Sequence, residues 1–171
     1  MKNITVQDIV QATGGRLLCG SPDLLIRNIS IDSRTMKGDD IFVPIIGAKV
    51  DAHRFIGGAF QAGAAATFTS EHDEMEDTHP WIRVEDTVKA LQDLGAFCRN
   101  RLTMPIIGVT GSVGKTSTKE MISSILSQKY SVLKTPGNLN NEIGLPLTVF
   151  QIDTSHEVAV LELGMNHFGE M

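Results

Sequence analysis

At 171 residues the chain is long enough for one large domain or two small ones, and its 42% apolar content suffices for a core. A net charge of -5, with the basic residues scattered, leaves no electrostatic footprint for nucleic acid, so any phosphate binding has to be local. Cys19 and Cys98 lie far apart without a partner motif and read as free thiols in a reducing compartment. No apolar run is long enough for a signal peptide or a membrane span, so a cytoplasmic location is expected.

Thr5 to Asp8 is a capping-box signal for a short helix with Val6, Ile9 and Val10 on its apolar face, ended by Gly14-Gly15. Leu24 to Ile31 alternates as a strand, and Ile41 to Ile46 is a second apolar strand broken by Pro44. His53 to Gln61 reads as a helix closed by Gly63, and Ala64 to Thr69 as a further strand. Glu71 to Pro80 resembles a loop, and Trp81 to Val84 a short closing strand. These elements make a small α/β module over residues 1–84.

From Asp86 the spacing Val88, Leu91, Leu94, Cys98, Leu102 is helical until Met104-Pro105, and this helix bridges into a second domain, residues 85–171. That domain runs strand (Ile106 to Thr110), glycine loop, helix (Thr116 to Gln128), strand (Ser131 to Leu133), loop, short helix (Gly144 to Phe150) and strand (Val158 to Leu163). Strand and helix alternate, which predicts a parallel sheet buried on both faces. Only three strands precede Met171, so the expectation is a truncated sheet with an exposed edge.

The glycine loop carries the clearest chemistry. In Thr110-Gly111-Ser112-Val113-Gly114-Lys115-Thr116-Ser117 an apolar strand breaks into a loop and then Lys-Thr at the head of a helix. Glycines let backbone N–H groups turn onto phosphate oxygens, and the helix N-terminus adds its positive dipole end. Lys115 would reach the terminal phosphates of a nucleoside triphosphate such as ATP, and the Thr116 hydroxyl would bind magnesium. The strict G-x-x-x-x-G-K-[ST] pattern wants glycine where Val109 stands, so this is a variant P-loop.

Glu162 is the one carboxylate in the apolar run Val158 to Gly164 and lies near a strand end, where ligands gather in open α/β sheets. It can share the magnesium of Thr116, or simply face solvent. The segment Thr135 to Pro146 is dense in amides and glycine. It suits a polar, neutral ligand, or a loop making its own Asx turns and helix cap.

Three segments together resemble the ATP-dependent Mur ligases, which build the peptide of the bacterial cell-wall precursor. They are the loop with Ser117-Thr118-Lys119-Glu120, the run Gly137 to Pro146, and Glu162 to Met171. The last two are similar to the branch that adds D-alanyl-D-alanine to UDP-N-acetylmuramoyl-tripeptide. In the first module Asp32-Ser33-Arg34, Gly38 to Val43, Gly47 and Asp51 to Phe55 resemble that branch's UDP-binding domain, with Ala52 where glycine is usual.

The resemblance implies a UDP-binding domain over 1–84 and the first part of the central ATP-binding domain over 85–171. It implies an acid-amino-acid ligase in peptidoglycan synthesis that phosphorylates the tripeptide carboxylate with ATP and lets the dipeptide amine attack the acyl phosphate. Lys115, Glu162 and His167 would be catalytic. Thr110 to Ser117 would hold ATP, and Thr116 and Glu162 magnesium. Ser33, Arg34, Gly47, Asp51 and His53 would hold the uridine diphosphate, and Asn138, Asn140, Asn141, Asn166 and His167 would line the muramoyl-peptide path. The family has three domains, so the chain is expected to be an inactive fragment of a monomeric parent with no nucleic-acid or membrane partner.

Duller readings accompany these. Without the resemblance, Ser33-Arg34 reads as an ordinary turn after a strand, and His167 as a solvated loop residue rather than a catalytic one. Two rival functions are a folylpolyglutamate-synthase-like ligase, against which the Asp32-Ser33-Arg34 module argues, and a non-catalytic nucleotide-binding module.

Overall fold

A computed structural model describes residues 4–164. The chain divides into two compact units between Leu94 and Gly95.

The first unit begins with β1 (Ile4–Thr5) and α1 (Val6–Thr13). The Asp8 amide donates to Thr5 Oγ1 at 3.1 Å and the Thr5 amide to Asp8 Oδ2 at 2.9 Å, so the expected capping box is formed. Gly14, at φ 63°, ends the helix in the left-handed conformation that glycine adopts without steric cost. There follow β2 (Arg16–Cys19), β3 (Leu25–Ile26), β4 (Asn28–Ser30), β5 (Asp40–Phe42), a 3-10 turn (Ala52–Phe55), α2 (Ile56–Gln61), β6 (Ala64–Thr69) and β7 (Trp81–Arg83). Five strands form one sheet in the order β2-β7-β6-β5-β4, parallel except for β2 against β7. Phe42, Ile56, Ala59, Ala64 and Trp81 pack as a buried cluster.

Three expectations change. The strand read from Leu24 to Ile31 is two, because β3 pairs antiparallel with β1 while β4 joins the main sheet. The amide of Arg27, between them, donates to Asp39 O at 3.0 Å. Residues 53–61 open as a 3-10 turn before becoming helical. Finally, β2 is a strand that the sequence reading leaves out, and it places β7 inside the sheet rather than at its edge.

The division falls within α3 (Thr87–Asn100), whose first turn is capped by Asp86 Oδ1 accepting from the Val88 and Lys89 amides at 2.7 and 3.0 Å. The second unit continues with β8 (Ile106–Val109), α4 (Lys115–Leu126), β9 (Val132–Lys134), α5 (Gly144–Val149) and β10 (Val158–Glu162). Its three strands run parallel in the order β8-β10-β9, as the alternation of strand and helix requires. Every residue of β10 is buried, which its unbroken apolar run explains. Leu133, Val149, Ile152, Ala159 and Leu161 form the core of this unit. Because Glu162 pairs in register with Val109, the parallel sheet carries the carboxylate to the edge from which the glycine loop departs. No helix among the described residues is long and apolar enough to cross a membrane.

Candidate functional site

The glycine loop has the backbone a phosphate cradle needs. Gly111 and Gly114 have φ of 146° and 76°, which side-chain-bearing residues rarely adopt. No side chain caps α4, in contrast to α1 under Thr5, so the first N–H groups of α4 are left to an incoming acceptor. Lys115 Nζ folds back to donate to Gly111 O at 2.8 Å. Ser112, Val113 and Ser117 are exposed, Val113 at 87%. Thr110 Oγ1 donates to Leu163 O at 3.2 Å, which ties the loop's start to the residue after β10.

Glu162 points inward, and the solvent-facing alternative is excluded by its 3% exposure. Its Oε1 accepts from Thr116 Oγ1 at 3.1 Å and from Asn140 Nδ2 at 2.8 Å. Burial on its own raises the Glu162 pKa, but the hydrogen bonds from Asn140 and Thr116 and the charge of Lys119 outweigh it and leave the carboxyl below its usual range. Among the described residues, buried Glu162 Oε2 has no hydrogen-bond partner. A buried carboxylate whose Oε1 lies 3.1 Å from a threonine hydroxyl is a hard-oxygen donor set of the kind magnesium takes, so Thr116 and Glu162 fit that ion.

Two residues with no assigned role in the sequence reading complete this corner. Lys119, 2% exposed, donates to Thr135 O at 3.0 Å, and Thr135 Oγ1 accepts from the Glu162 amide at 2.8 Å. A signal existed in α4, whose pattern is inverted. Its buried residues are Lys119 and Ser123, while Met121 and Ile125 are 66% and 70% exposed. Polar residues turned inward on a helix that follows a glycine loop point to a buried polar site.

Asn138, Asn140 and Asn141 take different positions. Asn138 is exposed, Asn140 turns in to Glu162, and Asn141 Oδ1 accepts from the Gly144 amide at 2.8 Å ahead of α5. Asn166 and His167 lie outside the described residues.

In the first unit Asp32 to Thr35 is a tight turn, closed by the Thr35 amide on Asp32 O at 3.1 Å. Arg34 grips Asp32 with two hydrogen bonds, Nε to Oδ1 at 2.9 Å and Nη2 to Oδ2 at 2.7 Å, which hold the Asp32 carboxyl down at about 2. Ser33 is half-buried in this turn. Gly47 is exposed in a hairpin tip and its amide donates to Val50 O at 2.9 Å.

Asp51 and His53 meet directly. His53 is 5% exposed; its Nδ1 lies 2.7 Å from Asp51 Oδ1, and its Nε2 accepts from the Ser70 amide at 3.0 Å. An Nε2 that faces an amide hydrogen carries no proton, so Nδ1 is the donor to Asp51 and both ring nitrogens are engaged. Asp51, His53 and Glu71 lie close enough to suggest a metal cluster, but those ring contacts leave the imidazole no free nitrogen for one. The amide and the ring of His53 lower the Asp51 pKa from 3.8 to about 2. A depressed carboxyl contributes stability above its unfolded pKa and loses it as pH falls through the folded one. The first unit should therefore weaken on acidification from about pH 4 to about pH 2. Melting temperatures across that window should fall less steeply in Asp51→Asn, and an unchanged slope would remove Asp51 from the acid response.

Two family models match, "Mur ligase family, catalytic domain" over residues 25–99 and "Mur ligase middle domain" over residues 109–171. The UDP-N-acetylmuramoyl-tripeptide--D-alanyl-D-alanine ligase of Treponema pallidum is 44% identical over 84% of this chain and 33% of its own length. The Bacillus subtilis protein of the same name is 40% identical over 98% of this chain and 37% of its own length. A crystal structure of MurF from Acinetobacter baumannii, 36% identical, superposes with a TM-score of 0.86 over 99% of this chain and 37% of that one. MurF ligase from Thermotoga maritima in complex with ADP, 37% identical, gives 0.72 over 83% of this chain and 33% of that one. The chain thus spans about a third of the length of the relatives it matches. With family models covering residues 25–99 and 109–171, the chain belongs to the Mur ligase family.

Proposed function

We propose that this chain is the UDP-binding and ATP-loop portion of a ligase that joins D-alanyl-D-alanine to UDP-N-acetylmuramoyl-tripeptide through an acyl phosphate. The observation that carries the reading is the Thr116 hydroxyl against Glu162 Oε1 at 3.1 Å, at the sheet edge where the glycine loop begins. The similarity to proteins named for that reaction supports the substrate assignment.

In this reading Lys115 leaves Gly111 O to meet the terminal phosphates, while the loop amides and the uncapped start of α4 hold the phosphate oxygens. Thr116 and Glu162 would hold magnesium, which when bound would supply charge neutralisation to a phosphoryl group in transfer. Asn138, Asn140 and Asn141, with Asn166 and His167 beyond the described residues, border the muramoyl-peptide path. Asn140 reaches that path already bound to Glu162, which links substrate position to the metal carboxylate. Ser33, Arg34, Gly47 and Asp51 take the uridine diphosphate, with His53 bracing Asp51 from the interior. Residues 1–84 and 85–171 are the two functional domains, α3 at the start of the second being the helix within which the compact units divide, and the free thiols of Cys19 and Cys98 suit a reducing cytoplasm.

Calorimetry tests this directly. The chain should bind UDP-N-acetylmuramoyl-tripeptide saturably and more tightly than UDP or UDP-glucose, and should bind ATP separately with magnesium. A folded chain that binds neither overturns the reading.

A further inference from the structure

Lys119 has an unusual position for a lysine on a twelve-residue helix. It follows Lys115 by one turn, is 2% exposed, and reaches no solvent. Its ammonium has three hydrogens and meets three oxygens: Thr135 O at 3.0 Å, Glu120 Oε1 at 3.3 Å and Glu162 Oε2 at 3.6 Å. Glu120 is itself paired with Lys134, so the outer end of this chain of charges is anchored in β9.

Glu162 is held unevenly. Among the described residues its two side-chain donors, Thr116 and Asn140, both act on Oε1, and Oε2 receives none. Turning the carboxylate about the bond that joins it to the side chain would carry Oε1 away from both donors, so an attraction acting on Oε2 reinforces the same orientation from the other side. The ammonium 3.6 Å away is too distant for a hydrogen bond and close enough for a strong ionic attraction in a buried corner. Thr135 ties both partners to one point, since its carbonyl takes Lys119 and its hydroxyl takes the Glu162 amide.

We propose that Lys119 is a positioning residue for Glu162: it draws in Oε2 so that Oε1 and the Thr116 hydroxyl stay side by side at the mouth of the glycine loop. The inference rests on the assignment of Thr116 and Glu162 to magnesium. Lys119 itself touches neither nucleotide nor metal, and acts only through the carboxylate.

The test is the gain in ATP affinity that magnesium gives over EDTA, measured by calorimetry well below the melting temperature. In Lys119→Met that gain should fall at least about tenfold, while the affinity without metal stays within about twofold of the unaltered chain. Lys119→Arg, which keeps the charge, should recover part of the gain. The double variant Lys119→Met with Glu162→Gln should be no weaker than Glu162→Gln alone, since removing the carboxylate removes what Lys119 acts on. A merely structural lysine would lower both affinities together. If Lys119→Met does not fold, the comparison of the double variant with Glu162→Gln decides, because neither leaves a buried carboxylate without its ammonium. Undiminished magnesium gain in Lys119→Met, or further loss in the double variant, overturns the inference alone. Absence of any magnesium gain in the unaltered chain overturns the nucleotide reading and the inference with it.

Discussion

Lys115→Met should weaken ATP binding by about 100-fold and leave the melting temperature of the second unit within a few degrees of the unaltered chain. The first effect follows from chemistry: a charge-assisted hydrogen bond from ammonium to phosphate contributes roughly 2–3 kcal/mol, and each 1.4 kcal/mol is about tenfold in affinity. The second follows from the structure. Lys115 Nζ is fastened by a hydrogen bond to Gly111 O at 2.8 Å, in a half-exposed loop where water can replace it. Lys119, four residues on, differs in burial and in what it holds. Its removal strands a buried carboxylate, and breaking one side of a buried pair costs about 3–5 kcal/mol. The same substitution one helical turn apart should thus give different readouts: lost affinity with stability kept at Lys115, and lost stability together with a smaller magnesium gain at Lys119. Wild-type ATP affinity in Lys115→Met would remove Lys115 from the phosphate site and leave the loop as a turn between strand and helix.

The contrast between those two lysines also shows what a sequence carries. Lys115 and Thr116 are legible because their chemistry is local: glycine loop, apolar strand and helix start are contiguous, and the order of residues fixes their geometry. The capping box of α1 is legible for the same reason, its two hydrogen bonds joining residues three apart. Glu162 is readable as one carboxylate at the end of an apolar strand, and parallel pairing with β8 supplies the rest. Lys119 is not readable, because its meaning depends on Thr135 and on Glu162, 16 and 43 positions away. A lysine on a helix reads as solvated until the packing shows otherwise. Strand boundaries fail on the same ground. Nothing local in Leu24 to Ile31 says that its first half pairs with Ile4–Thr5 and its second with Asp40–Phe42. In β2, one exposed and three half-buried residues give no alternation to find.

The second large effect is expected at Gly144, and it connects packing to the site. A Cβ built there would lie 2.5 Å from Leu139 Cα and 2.6 Å from Leu139 C, closer than real Cβ atoms approach, and the obstruction is backbone rather than a side-chain tip that can swing away. Gly144→Ala therefore forces Leu139 outward. Overpacking of this kind costs about 1–3 kcal/mol, and with backbone in the way the upper end applies, a drop of roughly 10–20 °C for a unit of this size. The damage should not stay at α5. Asn140 follows Leu139 in the chain; its carbonyl accepts the Gly164 amide at 2.7 Å and its side chain donates to Glu162 at 2.8 Å. Displacing Leu139 pulls on the donor that holds Oε1, so the magnesium gain in ATP affinity should fall together with the melting temperature. Gly58→Ala in α2 is the matched control: its Cβ meets nothing within 4 Å, and a helical glycine replaced by alanine stabilises by about 0.5–1 kcal/mol. Hydrogen exchange of the 136–148 amides should rise in Gly144→Ala and stay unchanged in Gly58→Ala. Native protection of those amides at position 144 with alanine would mean that Leu139 can yield without moving Asn140, and the coupling between that loop and Glu162 would have to be carried elsewhere.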